Sequence, residues 1–316
     1  MAFSVNTNEH FIRSNLWSTE LKEVLEDKLI GMQWVDWITD FPDGDTINIP
    51  SLGQAEVLNY VEGEAVRYTA MDSGNFTFTI SQYKSSATYI TNKYKQDSFY
   101  TGRIVSSFVP KQARAIGKAM EVDMLAVGPN GQTASNLNAI NGANHRFVGS
   151  GTSETIAIVD FAKAKYALDK ANVPEVNRVA VVDPSVEYAL NTLTNLTNVS
   201  NNPRWEGIIT TGLAGGMQFI RNIYGFDVYV STNLKVNSTS ETINSVTAAA
   251  GVNNLFFSAA PEVLPIIGAV RQAPKVDSEY NKDFQREEYV TTCRYDFKLY
   301  RPENMVVVLT DTDQVT

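Results

Sequence analysis

His10 and His145 are the only histidines in the 316 residues and Cys293 is the only cysteine, so few groups could move a proton near neutral pH or attack as a nucleophile. The histidines lie in a polar stretch and in a Gly/Asn-rich stretch, and neither belongs to the i, i+4 pair of an HExxH metal motif. Cys293 alternates with apolar residues of a strand-like run and reads as a buried structural thiol. A single cysteine excludes an intrachain disulfide and a cysteine-based zinc site. The acidic run Asp40 to Asp45, DFPDGD, has the composition of a calcium loop, but its spacing is wrong and no glutamate stands at the twelfth position. It reads as a turn. Gly212-Leu213-Ala214-Gly215-Gly216 lacks the following lysine that would make it a phosphate cradle and also reads as a turn. Glu287 and Glu288 are neighbours in a strand pattern and point to opposite faces, which is wrong for paired-carboxylate chemistry. No GxSxG or Walker A spacing occurs. We therefore expect no enzyme, no cofactor and no metal; an α+β enzyme with a diffuse site is the alternative to set against that expectation.

The groups that remain are charges, and they need elements to hold them. The net charge of −9 argues against dedicated nucleic-acid binding. One stretch departs from that balance. Val105, Val109, Ala113, Ile116, Met120, Met124 and Val127 recur in steps of three and four, predicting one amphipathic helix from Tyr94 to Val127. Phe108, Ala119 and Leu125 widen its apolar face. Arg103, Lys111, Arg114 and Lys118 share another side, which is either a plain solvated face or a surface that meets phosphate. A helix of about 30 residues spans roughly 45 Å. Pro110 inside it predicts a kink or a break at Val109.

Ahead of this helix, Leu16 to Leu29 has helical spacing, with Ser18 or Thr19 as N-cap. Its stripe of Leu21, Val24, Leu25 and Leu29 is too narrow for a core, so the segment must dock on the body or on a neighbour. Trp17, Trp34 and Trp37 strengthen that expectation. From Phe41 to about Ile90 the period becomes two: Ile47 and Ile49 form one strand, and Phe76, Phe78 and Ile80 another. The polar, Gly-punctuated chain between them reads as an extended two-stranded excursion.

After the helix, a Gly/Asn-rich run marks a boundary. Ile158, Phe161, Ala162, Lys165 and Leu168 then predict a helix, Arg178 to Val182 a buried strand, and Asp183-Pro184 the N-cap and first position of another helix. Asn191 to Gly207 and Val236 to Val252 read as polar loops. Tyr289 to Leu299 alternates as a half-buried strand, and Arg301 to Asn304 is expected to turn it into a hairpin with Met305 to Leu309. With 43% hydrophobic residues the chain is an ordered one. MAFSVNTNEH is no signal sequence, no apolar run of about 18 residues occurs, and no membrane partner is expected.

In this order, these parts resemble the major capsid proteins of tailed bacteriophages, whose coat fold is shared with herpesviruses and encapsulins. WSTELKEVLEDKLIGMQWVDW resembles that family's N-terminal arm, and GDTINIPSLGQAEVLNYVEGEAVRYTAMDSGNFTFTISQYK its extended loop. DSFYTGRIVSSFVPKQARAIGKAMEVDMLA resembles its spine helix, with Asp123 near the end. VPEVNRVAVVDPSVEYAL and GMQFIRNIYGFDVYVSTNL resemble parts of its axial domain, and YDFKLYRPENMVVVLTD its closing peripheral hairpin. The resemblance covers nearly the whole chain and implies an α+β subunit: arm (1–40), extended loop and flanking strands (41–83), peripheral domain with spine helix (84–150), inserted α/β axial domain (151–270) and a return to a peripheral β-hairpin (271–316).

It also implies a virion shell protein that self-assembles as hexamers and pentamers in the host bacterial cytoplasm around packaged double-stranded DNA. A separate scaffolding protein, a portal and decoration proteins would be its partners. An encapsulin-like compartment shell is the alternative on the same fold. Trp17, Leu21, Leu25, Trp34 and Trp37 would make assembly contacts through the arm, and Glu62, Glu64 and Arg67 through the loop. Arg103, Lys111, Arg114 and Lys118 would face the interior. Some relatives crosslink their shells through a loop lysine. Here residues 41–83 contain none and Lys84 is the first, so no such crosslink is expected. No long charged helical region precedes the arm, and no large removed N-terminal domain is expected.

Overall fold

Two β-sheets lie along one long helix, and the sequence explains which strands join which. The structure, a computed structural model, describes residues 29–38, 44, 46–52, 59, 62, 63, 65, 73–97, 101–132, 138–192 and 222–311. In chain order, β1 (Val35–Ile38), β2 (Thr46–Leu52), β3 (Ser73–Thr79) and β4 (Gln82–Thr91) precede α1 (Asn92–Asp97) and α2 (Thr101–Gly131). Three short strands, β5 (Ala139–Ile140), β6 (Ala143–Asn144) and β7 (Arg146–Val148), lead to α3 (Ile158–Lys170), β8 (Arg178–Val182) and α4 (Pro184–Thr192). Next come β9 (Asn222–Ile223), β10 (Phe226–Val230), β11 (Val236–Asn237), β12 (Glu241–Ile243), β13 (Val246–Ala248) and β14 (Gly251–Ser258). The chain closes with β15 (Ile266–Asn281), β16 (Arg286–Leu299) and β17 (Val306–Asp311).

The first sheet has the order β1-β15-β16-β4. In β16, Thr291, Cys293, Tyr295 and Phe297 are buried while the residues between them are more exposed. This is the alternation of a sheet with one wet face. The dry face packs on α2, where Ile116, Met120 and Met124 meet Cys293, Tyr295 and Phe297.

The second sheet, β7-β17-β14-β8-β10-β9 with β11 beside β14, is built differently. β8 and β14 are buried at every position, as is β17 through Thr310, so none of them shows the in-and-out alternation of β16. On one side Phe161, Ala164 and Leu168 of α3 and Val186 and Leu190 of α4 cover Ala180, Val182, Phe256 and Val306. On the other, Met124 and Leu125 of α2 meet Val181, Leu255, Phe257 and Val307. The long helix therefore spans both sheets. α4 starts at the cap expected for it, and α3 at one that the sequence did not announce. Asp183 accepts the Ser185 N–H at 2.9 Å with Pro184 at the first helical position, and the Asp160 carboxylate reaches back to the Ala157 N–H at 2.9 Å.

Three expectations are corrected. The run before Arg301 and the run after Asn304 do not form a hairpin: β16 pairs with β15 and β4, whereas β17 sits between β7 and β14 in the other sheet. The hairpin within 271–316 is instead β15 with β16. Asn304 redirects the chain, since its side chain accepts the Ser258 N–H at 2.8 Å and donates to Ser258 O at 2.9 Å, tying the turn to the end of β14. Val306 to Leu309 is apolar at every position and needs burial on both faces, which a half-exposed partner such as β16 cannot supply. Second, residues 236–252 are not simply a loop. They contain β11 and the β12–β13 hairpin, turned by Asn244 and Ser245, both at positive φ. Ile243 and Ala248 of that hairpin pack on Leu309. Third, of the kink or break expected at Val109 the break does not occur: α2 runs through Pro110 and Pro129 to Gly131. Proline in a helix interior costs about 3 kcal/mol, and the turns that follow it bury Ile116, Met120, Met124 and Leu125 against both sheets.

Candidate assembly surfaces and their junction

Those residues singled out for chemistry that fall among the described ones are accounted for by local structure; His10 lies outside them. His145 is buried, with its ring nitrogens 3.0 Å from Ala143 O and 3.1 Å from Glu303 O. Burial pushes the imidazole below its ordinary value and outweighs the two carbonyls, which favour the protonated ring. The folded subunit thus resists a proton that the unfolded chain accepts. Stability from this site is full above the ordinary histidine pKa of about 6.5, begins to fall below it, and is lost as pH falls on through the lowered folded value. The melting temperature is expected to drop between pH 7 and 5.5, and His145→Asn to flatten that part of the profile; an unchanged profile would refute the assignment.

Cys293 is buried, its thiol 3.1 Å from Gln272 O, and burial raises its pKa. Glu287 is held by Lys95 at 2.6 Å, which lowers its pKa, and by the Tyr289 hydroxyl at 3.0 Å. Glu288 pairs with Arg286 at 2.6 Å. The two carboxylates are engaged separately. Among the described residues no group of three or more His, Cys, Asp or Glu could hold a metal, and no helix is long and apolar enough to cross a membrane. Of DFPDGD only Gly44 is described, at φ +88 in a bend; 212–216 lies outside the described residues.

The candidate contact residues divide in the same way. Trp34 is buried in the chain's own core, edge-on to Tyr229 at 5.2 Å and to Phe257 at 5.5 Å. Trp37 is 38% exposed and edge-on to Phe297 at 5.8 Å. Glu62 is exposed in a turn beside Gly63, whose φ is +90. Trp17, Leu21, Leu25, Glu64 and Arg67 lie outside the described residues. On α2, Lys111 and Lys118 are exposed and Arg114 is half-buried. Their spacing puts these three on one face; Arg103 stands in the first turn. Large exposed aromatics mark further surface. Tyr83 and Tyr89 stand on β4, and Phe284 at the β15–β16 tip is 65% exposed. The Arg286 guanidinium is 4.6 Å from the Tyr89 ring and 4.7 Å from the Phe284 ring.

What the sequence reading missed is the polar side of α2 that faces inward. Gln112 and Glu121 are buried there. Gln112 donates to Thr88 Oγ1 and Tyr289 O and accepts from Thr291 Oγ1 at 2.8 Å, so it spans β4 and β16. Glu121 accepts the N–H groups of Ile30 and Gly31 and the Asn233 side-chain amide. Asp123 accepts the Tyr295 hydroxyl at 2.8 Å and pairs with Lys84 at 3.3 Å. The signal available was a carboxylate at position 121 between Met120 and Met124 of the apolar stripe.

Comparison with known proteins gives the arrangement its context. The family model described as "Phage capsid protein" matches residues 75–308. No curated protein sequence matches significantly. Among solved structures, a chain from Mycobacterium phage Che8 is 20% identical with a TM-score of 0.67, covering 95% of this chain and 97% of that one. A capsid chain of cyanophage P-SCSP1u is 17% identical with a TM-score of 0.72, over 96% and 93%. One from the capsid of Ralstonia phage GP4 is 10% identical with a TM-score of 0.65, over the whole of both chains. At these identities the likeness is one of fold.

Proposed function

The chain belongs to the phage capsid protein family, and from that premise we propose how its surfaces build the shell. It is a major capsid protein, a structural component of the virion and not an enzyme; the compartment-shell alternative is not favoured. The observation that carries this is the family match over residues 75–308, joined to a fold whose long helix spans two sheets. Subunits assemble as hexamers and pentamers through heterologous contacts repeated about symmetry axes. The arm within residues 1–40 and the loop around Glu62 reach neighbouring subunits, with Trp37 as an accessible apolar anchor at the arm's root. Rim-exposed ion pairs at Glu62 are each worth about 0 to 1 kcal/mol, so strength comes from repetition.

Lys111, Arg114 and Lys118 line the interior and meet packaged double-stranded DNA without sequence preference. The acidic balance of the whole chain keeps that hold weak. A separately encoded scaffolding protein guides assembly in the host cytoplasm, and a portal and decoration proteins complete the particle. Electron microscopy of particles from cells making the chain with its partner proteins tests this: closed icosahedral shells support it, and a monodisperse monomer at high concentration under all conditions overturns it.

The loop is not a crosslinking device. Lys84, the first lysine after residue 41, lies on β4 and pairs with Asp123. Mature particles boiled in detergent are expected to run as a single monomer band. A covalent ladder abolished by Lys84→Arg would overturn this.

A further inference from the structure

We propose that Glu121 is the positioning residue that fixes where the N-terminal arm leaves the subunit. Residues 29–34 form a strap across α2, and the Glu121 carboxylate, fully buried, is the point to which the strap is tied. Its Oε2 accepts the Ile30 N–H at 2.8 Å and the Gly31 N–H at 3.1 Å. Its Oε1 accepts the Asn233 side-chain amide at 3.2 Å. All three donors are neutral and come from segments about 90 and 112 residues away in sequence. Asn233 follows β10 of the second sheet, where Ser231 N–H binds Val182 O at 3.0 Å. One side chain thus joins the arm's root, the long helix and the second sheet.

The strap packs closely around that tie. A Cβ on Gly31 would stand 2.1 Å from Met124 Cε, and one on Gly117 would stand 3.2 Å from Leu29 Cδ1. The chain crosses the helix where both lack side chains. Beyond the crossing, Trp34 enters the core and β1 pairs in parallel with β15, Val35 opposite Ile266. Backbone N–H groups left buried without acceptors are costly. Removing the carboxylate therefore detaches Leu29 to Gly31 while Trp34 and β1 still hold the chain further on. The exit point of everything N-terminal then moves from the helix surface to the start of β1.

The shell consequence rests on residues 1–28 being an assembly arm; the tie itself does not, and the experiment separates them. Limited proteolysis of unassembled subunits with a protease of broad specificity, followed by mass spectrometry, reads cleavage between Leu29 and Gln33. Glu121→Leu is expected to raise that cleavage rate at least tenfold and Glu121→Gln to restore protection. If Glu121→Leu is insoluble, Glu121→Ala, which removes the carboxylate without adding bulk, takes its place. Wild-type protection in whichever of Glu121→Leu and Glu121→Ala is soluble would overturn the tie. Released straps with normal shells would leave the tie standing and overturn only the arm reading.

Discussion

Replacing Phe256 with alanine is expected to destabilise the unassembled subunit by about 3 to 5 kcal/mol, measured as a shift of the denaturant midpoint at unchanged slope. Phe256 is fully buried on β14, opposite Ala180 on one side and Val306 on the other. Its ring meets Phe161 of α3 edge-on at 5.1 Å and Phe226 of β10 at 5.4 Å, the geometry in which aromatic pairs add to simple burial. The small Ala180 makes room for the ring, so truncation leaves a void that no neighbour can fill without moving a strand bonded on both sides. Against a domain stability of about 5 to 15 kcal/mol this loss is large enough to deplete folded subunits before any shell forms. Tyr166→Ala, on the exposed side of α3, is the control and should stay within about 0.5 kcal/mol of wild type. Equal midpoints for the two variants would show that the second sheet is not the subunit's core.

How far the sequence reveals this molecule depends on how many faces of an element touch water. β16 has one wet face, and its alternation from Thr291 to Phe297 could be read directly. β8, β14 and β17 have none. A strand buried on both faces carries no parity, so nothing in Val306 to Leu309 says which sheet it joins, and its closeness in sequence to β16 suggested the wrong partner. The helix stripe was legible at Ile116, Met120 and Met124, all buried, but Ala113 faces solvent and Gln112 and Glu121 face inward. A polar residue's acceptor or donor is the one thing periodicity cannot show: Glu121 is satisfied by residues 30, 31 and 233. The same limit applies to Trp34, legible as an anchor but not as one fixed in its own subunit. Among the candidate surface residues, Lys111, Arg114 and Lys118 are legible as one face because helical spacing alone determines it.

Deleting residues 1–28 is expected to abolish shell formation while leaving a folded, soluble subunit, the largest functional effect that any change to this chain should have. The place of the cut follows from the strap. Ile30 and Gly31 supply two of the three donors to a fully buried carboxylate, and Trp34 fills space between Tyr229 and Phe257. A deletion reaching residue 34 would remove core as well as arm, and its failure to assemble would be uninformative. A deletion ending at 28 spares Leu29, which lies over Gly117. The truncated protein should therefore unfold with the same cooperativity as the full chain and keep the strap protected from protease. Its sedimentation should show subunits or small oligomers under conditions where the full chain makes particles, since contacts of about 0 to 1 kcal/mol at exposed ion pairs hold a shell only when an apolar segment is added to them. Particles of normal size from the truncated chain would place the decisive contacts elsewhere, with the aromatic tip at Phe284 and the exposed Tyr83 and Tyr89 next in line.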